Sequence, residues 1–218
     1  MASEFSRSPR LLKGALVVFE TVAPVPTNLI VFQYNPDAVA RGFQPVGGRE
    51  GQQGAGSTEP TLPPLETFQM NIELDATDQL EQSNVLARAS GLHPTLAALE
   101  LLLYPASASL ILNKVLSLAG SSIVTPARAP LVLLVWGPFR VIPVRITTLS
   151  VNEQAFDQLL NPIRAQVQMG LRALTIPELQ QAGPPFDTLA LVNHIAKEVL
   201  ARANIFNSAQ QIGDAISF

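Results

Sequence analysis

Side-chain catalysis needs a nucleophile or a metal, a base, and a group that orients the base, and few residues of this sequence suit those roles. The two histidines, His93 and His194, lie far apart in the chain. Neither has a companion at the two-histidine spacing with which one helix face grips zinc, so both read as surface or structural residues. Asp75, Asp78 and Glu81 cluster where a strand ends and could in principle run acid and base chemistry. Carboxylates in such places also serve the exposed N–H groups of strand ends and first helical turns, and that reading is preferred. Serines are frequent, but no G-x-S-x-G elbow is present to raise one as a nucleophile. The glycines of GGREGQQGAG, residues 47–56, lack the following Lys-Ser/Thr of a phosphate-binding loop. Cysteine is absent, which removes disulfides and thiolate metal sites and agrees with folding in a reducing cytoplasm. The inventory predicts no enzyme, no metal and no cofactor.

Two kinds of residue remain. Trp136 is the single tryptophan and stands beside Gly137, a position that suits a core anchor better than a ligand-stacking platform. Arg140, Arg145, Arg164 and Arg172 lie on or beside strands, where guanidinium groups either face water or pair with carboxylates across a subunit boundary.

The elements that position these residues are mainly strands. Residues 14–22 (GALVVFETV) and 28–34 (NLIVFQY) are rich in Val, Ile and Phe and are separated by a proline-containing loop, which predicts a strand pair stopped by Asn35-Pro36. Residues 66–75 (ETFQMNIELD) alternate, with Phe68, Met70, Ile72 and Leu74 on one face, the period of a half-buried strand. LVLLVW, residues 131–136, is apolar on both faces and predicts a central strand covered on two sides. Strands follow at 139–151 and at 165–174, the latter with Val167, Met169 and Leu171 opposing Gln166, Gln168 and Arg172. Residues 92–104 place Leu96, Leu99 and Leu103 at helical spacing, and 105–130 fits either a second helix or an inserted loop. Near the C-terminal end, Leu189, Val192, Ala196, Val199 and Ala203 form an apolar stripe over 188–204, an amphipathic helix to which Glu198 and Arg202 would add an i, i+4 pair. The composition of 41–64 offers little to bury and predicts a long surface loop.

Composition limits the partners. Hydrophobic residues make up 47% of the chain and charged residues 14%, with a mean hydropathy of +0.26, more apolar than the surface of a water-soluble monomer normally allows. A bilayer is one covering, but no run approaches the roughly 20 apolar residues of a spanning helix, and Glu20 cuts short the apolar run of the N-terminal segment, so neither membrane insertion nor a signal peptide is expected. The net charge of −3 disfavours nucleic acid. Other protein subunits are the remaining covering.

Three segments in order carry a resemblance: FQYNP at 32–36, WGPFRVIPVRITTLSVNEQAF at 136–156, and LNPIRAQVQMGLRAL at 160–174. Together they resemble the tube-domain family of contractile injection systems, the phage-tail-like particles. In that family an early strand ends in an F-N-P type motif, matched by Tyr34, Asn35 and Pro36. A W-G strand follows, matched by Trp136 and Gly137, then a strand leading to an aromatic residue, matched by Phe156. A G-x-P-x-R-A motif comes last, matched by Pro162, Arg164 and Ala165 with Asn161 in the glycine place. Members commonly continue into a LysM module, where this chain carries an amphipathic helix, so a cell-wall or glycan-binding role has no motif here.

The resemblance implies an α+β, mainly antiparallel β fold, a tube-like β-barrel or sandwich with a packed helix. It divides the chain into an N-terminal arm (1–11), a tube-like β domain (12–175, with a helical or inserted segment at 92–128) and a C-terminal helical extension (176–218). It also implies a structural protein made in the bacterial cytoplasm, forming a hexameric ring at the baseplate hub that joins spike to inner tube and initiates tube assembly. Its partners would be copies of itself and the spike, tube and baseplate proteins. An inner tube or tail-terminator subunit of the same kind of particle is the alternative within that class, and a monomeric ligand- or glycan-binding β domain is the alternative outside it.

Overall fold

A computed structural model describes residues 12–19, 25–46, 62–77, 89–120 and 129–216. Seven strands form one antiparallel sheet: β1 (Ala15–Phe19), β2 (Pro26–Val31), β3 (Val39–Val46), β4 (Leu62–Asp75), β5 (Leu131–Val135), β6 (Val141–Phe156) and β7 (Pro162–Ala173). Their order across the sheet is β2-β1-β5-β6-β7-β4-β3. Helices α1 (His93–Glu100), α2 (Ser107–Leu118), α3 (Ile176–Ala182) and α4 (Leu189–Ile216) accompany it. The fold is therefore α+β and mainly antiparallel, as expected.

Alternation builds the main core. Phe68, Met70, Ile72 and Leu74 of β4 and Val167, Met169 and Leu171 of β7 turn to one face, where they meet Leu16, Ile30, Val132, Leu134, Val144 and the α1 side chains Leu96 and Leu99. The opposite face of β5 is covered as well, because Leu131 packs with Phe19, Leu179 and Phe186 in a second cluster. The unbroken apolar run at 131–135 is thus explained by burial on two sides. Leu103, assigned to the buried stripe of α1, is exposed, and Leu102 takes the buried place. The helix ends at Glu100, and the tighter turns beyond it shift which residue faces inward.

The expected loop at 41–64 is corrected at both ends. Residues 41–46 complete β3 and 62–64 begin β4, with Arg41 opposite Phe68 and Phe43 opposite Glu66. Composition missed these strands because cross-strand pairing with β4 supplies the contacts that Gly42, Gln44 and Pro45 cannot. Residues 47–61 lie outside the described residues, as do the arm at 1–11 and residues 121–128 of the helical segment. The remainder of that segment resolves into α1 and α2.

Among the described residues the sheet does not close into a barrel, since β2 and β3 stand at its two ends without a further strand beside them. It is nevertheless curled. The link between those margins is residues 32–38, and β2 and β4 are five strand spacings apart, about 24 Å in a flat sheet, too far for a residue two places past β2 to reach across. Gln33 fixes this link to the end of β4, donating Nε2–H to the Asp75 carbonyl (2.7 Å) and accepting the Asp75 N–H (2.9 Å). Anchored there, the chain turns into β3 instead of letting β2 run on into a closing pair.

Helix α3 is tied to the sheet through Glu178. Its carboxylate accepts from Arg172 at 2.7 and 2.9 Å and reaches back to the Thr175 N–H (2.9 Å) and hydroxyl (2.8 Å). The Arg172 hydrogen bonds are the chief reason that its pKa falls to about 2. A depressed carboxylate stabilises the fold above its unfolded pKa near 4.5, and that contribution is lost as pH falls towards the folded value. After solvent screening it amounts to about 1–2 kcal/mol. Thermal melts at pH 7 and pH 2.5 should therefore differ less for Glu178→Gln than for the natural chain, the variant being the less stable at pH 7.

Candidate assembly interface

The residues singled out by their order in the sequence are anchors of the fold. Asn35 accepts the Gly14 N–H (2.8 Å) and donates to the Leu12 carbonyl (2.9 Å), fastening the segment after β2 to the start of β1. Phe32 is fully buried and its ring lies 6.2 Å from that of Trp136. Gly14 is required between them, because a Cβ there would fall 2.6 Å from the indole ring. Trp136 is partly buried at the rim of the core, and Gly137 carries the turn into β6 at φ +82°. Tyr34 is half exposed and Pro36 partly buried.

The third segment fastens the opposite end of the sheet. The Pro162 carbonyl accepts the Leu92 N–H (2.9 Å) and the Ile163 carbonyl accepts the Ala76 N–H (2.8 Å). Arg164 donates to Asp75 at 2.8 and 3.1 Å, and Ala165 is fully buried. Phe156 pairs with Pro162 across the β6–β7 hairpin and is half exposed, next to the exposed Leu159 and Leu160 of the hairpin tip. Gln33 joins the two anchored regions through Asp75, a link that no spacing in the sequence announced.

The remaining candidates separate. Asp75 is held below the ordinary carboxylate range, first by hydrogen bonds from Thr77 and then by Arg164, while Asp78 and Glu81 lie outside the described residues. His93 is exposed at the start of α1, and His194 meets Glu198 at 3.2 Å, the partner expected to be Arg202. Arg164 and Arg172 pair within the chain, with Asp75 and Glu178; Arg145 reaches Glu178 at 3.8 Å. Among the described residues no group of three or more His, Cys, Asp and Glu side chains could hold a metal ion. Also among them, no helix is long and apolar enough to cross a membrane.

A polar cluster at the base of α4 was not anticipated. Glu66 is 5% exposed and accepts from Arg41 of β3 and from Lys197 of α4, the latter at 2.6 Å. Burial acts to raise its pKa, but the Lys197 and Arg41 hydrogen bonds outweigh burial and hold the carboxyl below its usual value. Asn193 donates to the Val141 carbonyl (2.7 Å). Lys197 reads from sequence as a solvated face, because only the sheet reveals the buried carboxylate it reaches. Glu66→Ala leaves two cations without their anion, so urea unfolding should show a loss of about 2–3 kcal/mol. Lys197→Ala, at a half-exposed position, should cost about 1 kcal/mol or less. Beside this cluster a cleft of about 360 Å³ is lined by Arg41, Trp136, Phe139, Arg140, Asn193 and Lys197, among others.

Two features suit assembly. The first is the pair of open strand margins. On β2, Leu29 donates its N–H to the Asn28 side chain at 2.8 Å, which places that donor on the side away from β1. The second is apolar surface on the helices. Ile111, Val115 and Leu118 of α2 and Leu191, Val192, Ile195 and Val199 of α4 are all exposed. The stripe predicted for α4 is thus only partly buried, since the sheet receives the side of the helix that carries Asn193 and Lys197. Margins and apolar helices left uncovered, as these are among the described residues, are what a solitary soluble domain avoids.

No protein-family model matches this chain, and no curated protein matches it.

Proposed function

We propose that the chain is a ring-forming structural subunit of a contractile injection particle, placed at the baseplate hub, where a hexameric ring joins the spike to the inner tube and initiates tube assembly. The observation that carries this reading is the curled sheet whose two margins, among the described residues, have no further strand beside them. The β2 of one copy can pair with the β3 of the next in a head-to-tail contact, and a head-to-tail contact closes into a ring when its rotation divides the circle. Six curled sheets joined in this way form one continuous barrel around a lumen, with no edge left open.

The ordered residues Tyr34-Asn35-Pro36, Trp136-Gly137, Phe156 and Pro162-Ile163-Arg164-Ala165 support the tube-domain reading, since they anchor the ends of the strands that such a barrel would need held in register. A ring of this kind works by packing and not by bond chemistry, presenting strand ends on which the first tube ring polymerises. The test is copy number. Electron microscopy of particles carrying a tagged version of this chain should show a single layer of six tags at the spike end. Tags along the whole tube, or none in the particle, would refute the hub assignment.

A ligand-binding β domain is favoured by one observation, the cleft between the β5–β6 turn and α4, with two aromatic rings and three cations in its lining. That reading expects a monomer.

A further inference from the structure

Helices α2 and α4 each carry an apolar stripe that the described residues leave bare. No residue of α2 is buried, and Ile111, Val115 and Leu118 are 62%, 55% and 81% exposed. On α4, Val192, Ile195 and Val199 are 56%, 48% and 59% exposed, while Asn193 and Lys197 face the sheet.

The spacing of both stripes is that of a two-helix seam. Ile111, Val115 and Leu118 are separated by four and then three positions, and Val192, Ile195 and Val199 by three and then four, the alternation of a heptad seam. Run antiparallel, the stripes match layer by layer: Ile111 against Val199, Val115 against Ile195, Leu118 against Val192. The same alignment sets Lys114 beside Glu198, because each immediately precedes a seam residue and lies on the flank that antiparallel helices share. Opposite charges at such flanking positions select partner and orientation.

The chain ties the two stripes towards different margins of the sheet, although Asn193 also holds α4 to β6. Helix α1, which leads into α2, packs on β2, whereas Lys197 of α4 lies over the Phe43 ring of β3 at 5.8 Å. When β2 of one copy pairs with β3 of the next, α2 of the first and α4 of the second arrive at one seam. We infer that α2 of one copy docks antiparallel on the Val192, Ile195 and Val199 stripe of the neighbouring copy and clasps the boundary between subunits. The inference rests on the ring reading and gives each boundary a second, helical contact beside the strand pairing.

The absence of cysteine allows a direct test. Differently tagged Val115→Cys and Ile195→Cys chains, both changed at exposed positions, are co-expressed and treated with a short bismaleimide; a Leu29→Cys and Phe43→Cys pair reports on the strand margins in parallel. Docking predicts a mixed covalent dimer from the first pair. Adding Lys114→Glu should cut its yield about tenfold through like-charge repulsion with Glu198, and Glu198→Lys on the other chain should restore it. A dimer from the margin pair without one from the helix pair overturns the helical contact and leaves the ring standing. Failure of both pairs overturns the two together, and an equal yield from Val115→Cys alone overturns it by showing that α2 packs on α2.

Discussion

Leu29→Pro is expected to leave the chain folded and to abolish its self-association. Leu29 is exposed on the margin strand β2, and its N–H already points away from β1 towards the Asn28 side chain. Proline is tolerated on an edge strand when the missing donor faces outward, so the β1–β2 ladder should survive and circular dichroism should be unchanged. What disappears is one donor of the proposed β2–β3 pairing, together with the room for a neighbouring strand to approach. A single ladder bond is worth about 0.5–1.5 kcal/mol, and ring closure repeats that loss at every boundary. Size-exclusion chromatography should show the ring peak replaced by monomer. A variant that unfolds would contradict the outward placement of that donor, and a folded variant that still forms rings would contradict the margin pairing.

Gly91→Ala should produce the largest loss of stability among single-methyl additions. Gly91 has φ +53° and sits where an added Cβ would fall 2.4 Å from the Pro162 carbonyl oxygen. That carbonyl is the acceptor for the Leu92 N–H, so the methyl group forces apart the contact that seats α1 against the start of β7. The left-handed backbone alone costs a non-glycine residue about 1–2 kcal/mol, and displacement of backbone from backbone adds to it, giving about 3 kcal/mol or more. Gly120→Ala is the matched control: its φ is also positive, at +77°, but among the described residues nothing beyond its chain neighbours lies within 4 Å of the added Cβ. The two variants should differ in urea midpoint, with Gly120→Ala losing about 1 kcal/mol.

What the residues announced and what they hid divide along physical lines. β4 and β7 were legible because alternation over nine or more residues fixes both the element and its buried face, and β5 because its lack of alternation demanded cover on both sides. The first strand of the margin at 41–46 was hidden, since Gly42, Gln44 and Pro45 form a strand only by leaning on β4. The buried Glu66 was equally hidden. An acidic residue in an alternating strand looks solvated until Arg41 and Lys197, distant in sequence, are brought to it. The α4 stripe was legible as apolar, but periodicity could not say that the sheet would receive Asn193 and Lys197 and leave Val192 and Val199 for something else. The motif residues were found by their order, and their anchoring contacts explain why such types stand there: an amide that serves two backbone groups at Asn35, a buried methyl at Ala165, a guanidinium on Asp75 at Arg164.

Sedimentation velocity of the purified chain at micromolar concentration tests most directly whether copies of the chain cover its bare margins and helices. The account predicts a discrete species near six times the 23.4 kDa mass of one chain, persisting on dilution through that range as a closed ring should. A single compact species of one chain's mass across the same range would contradict it.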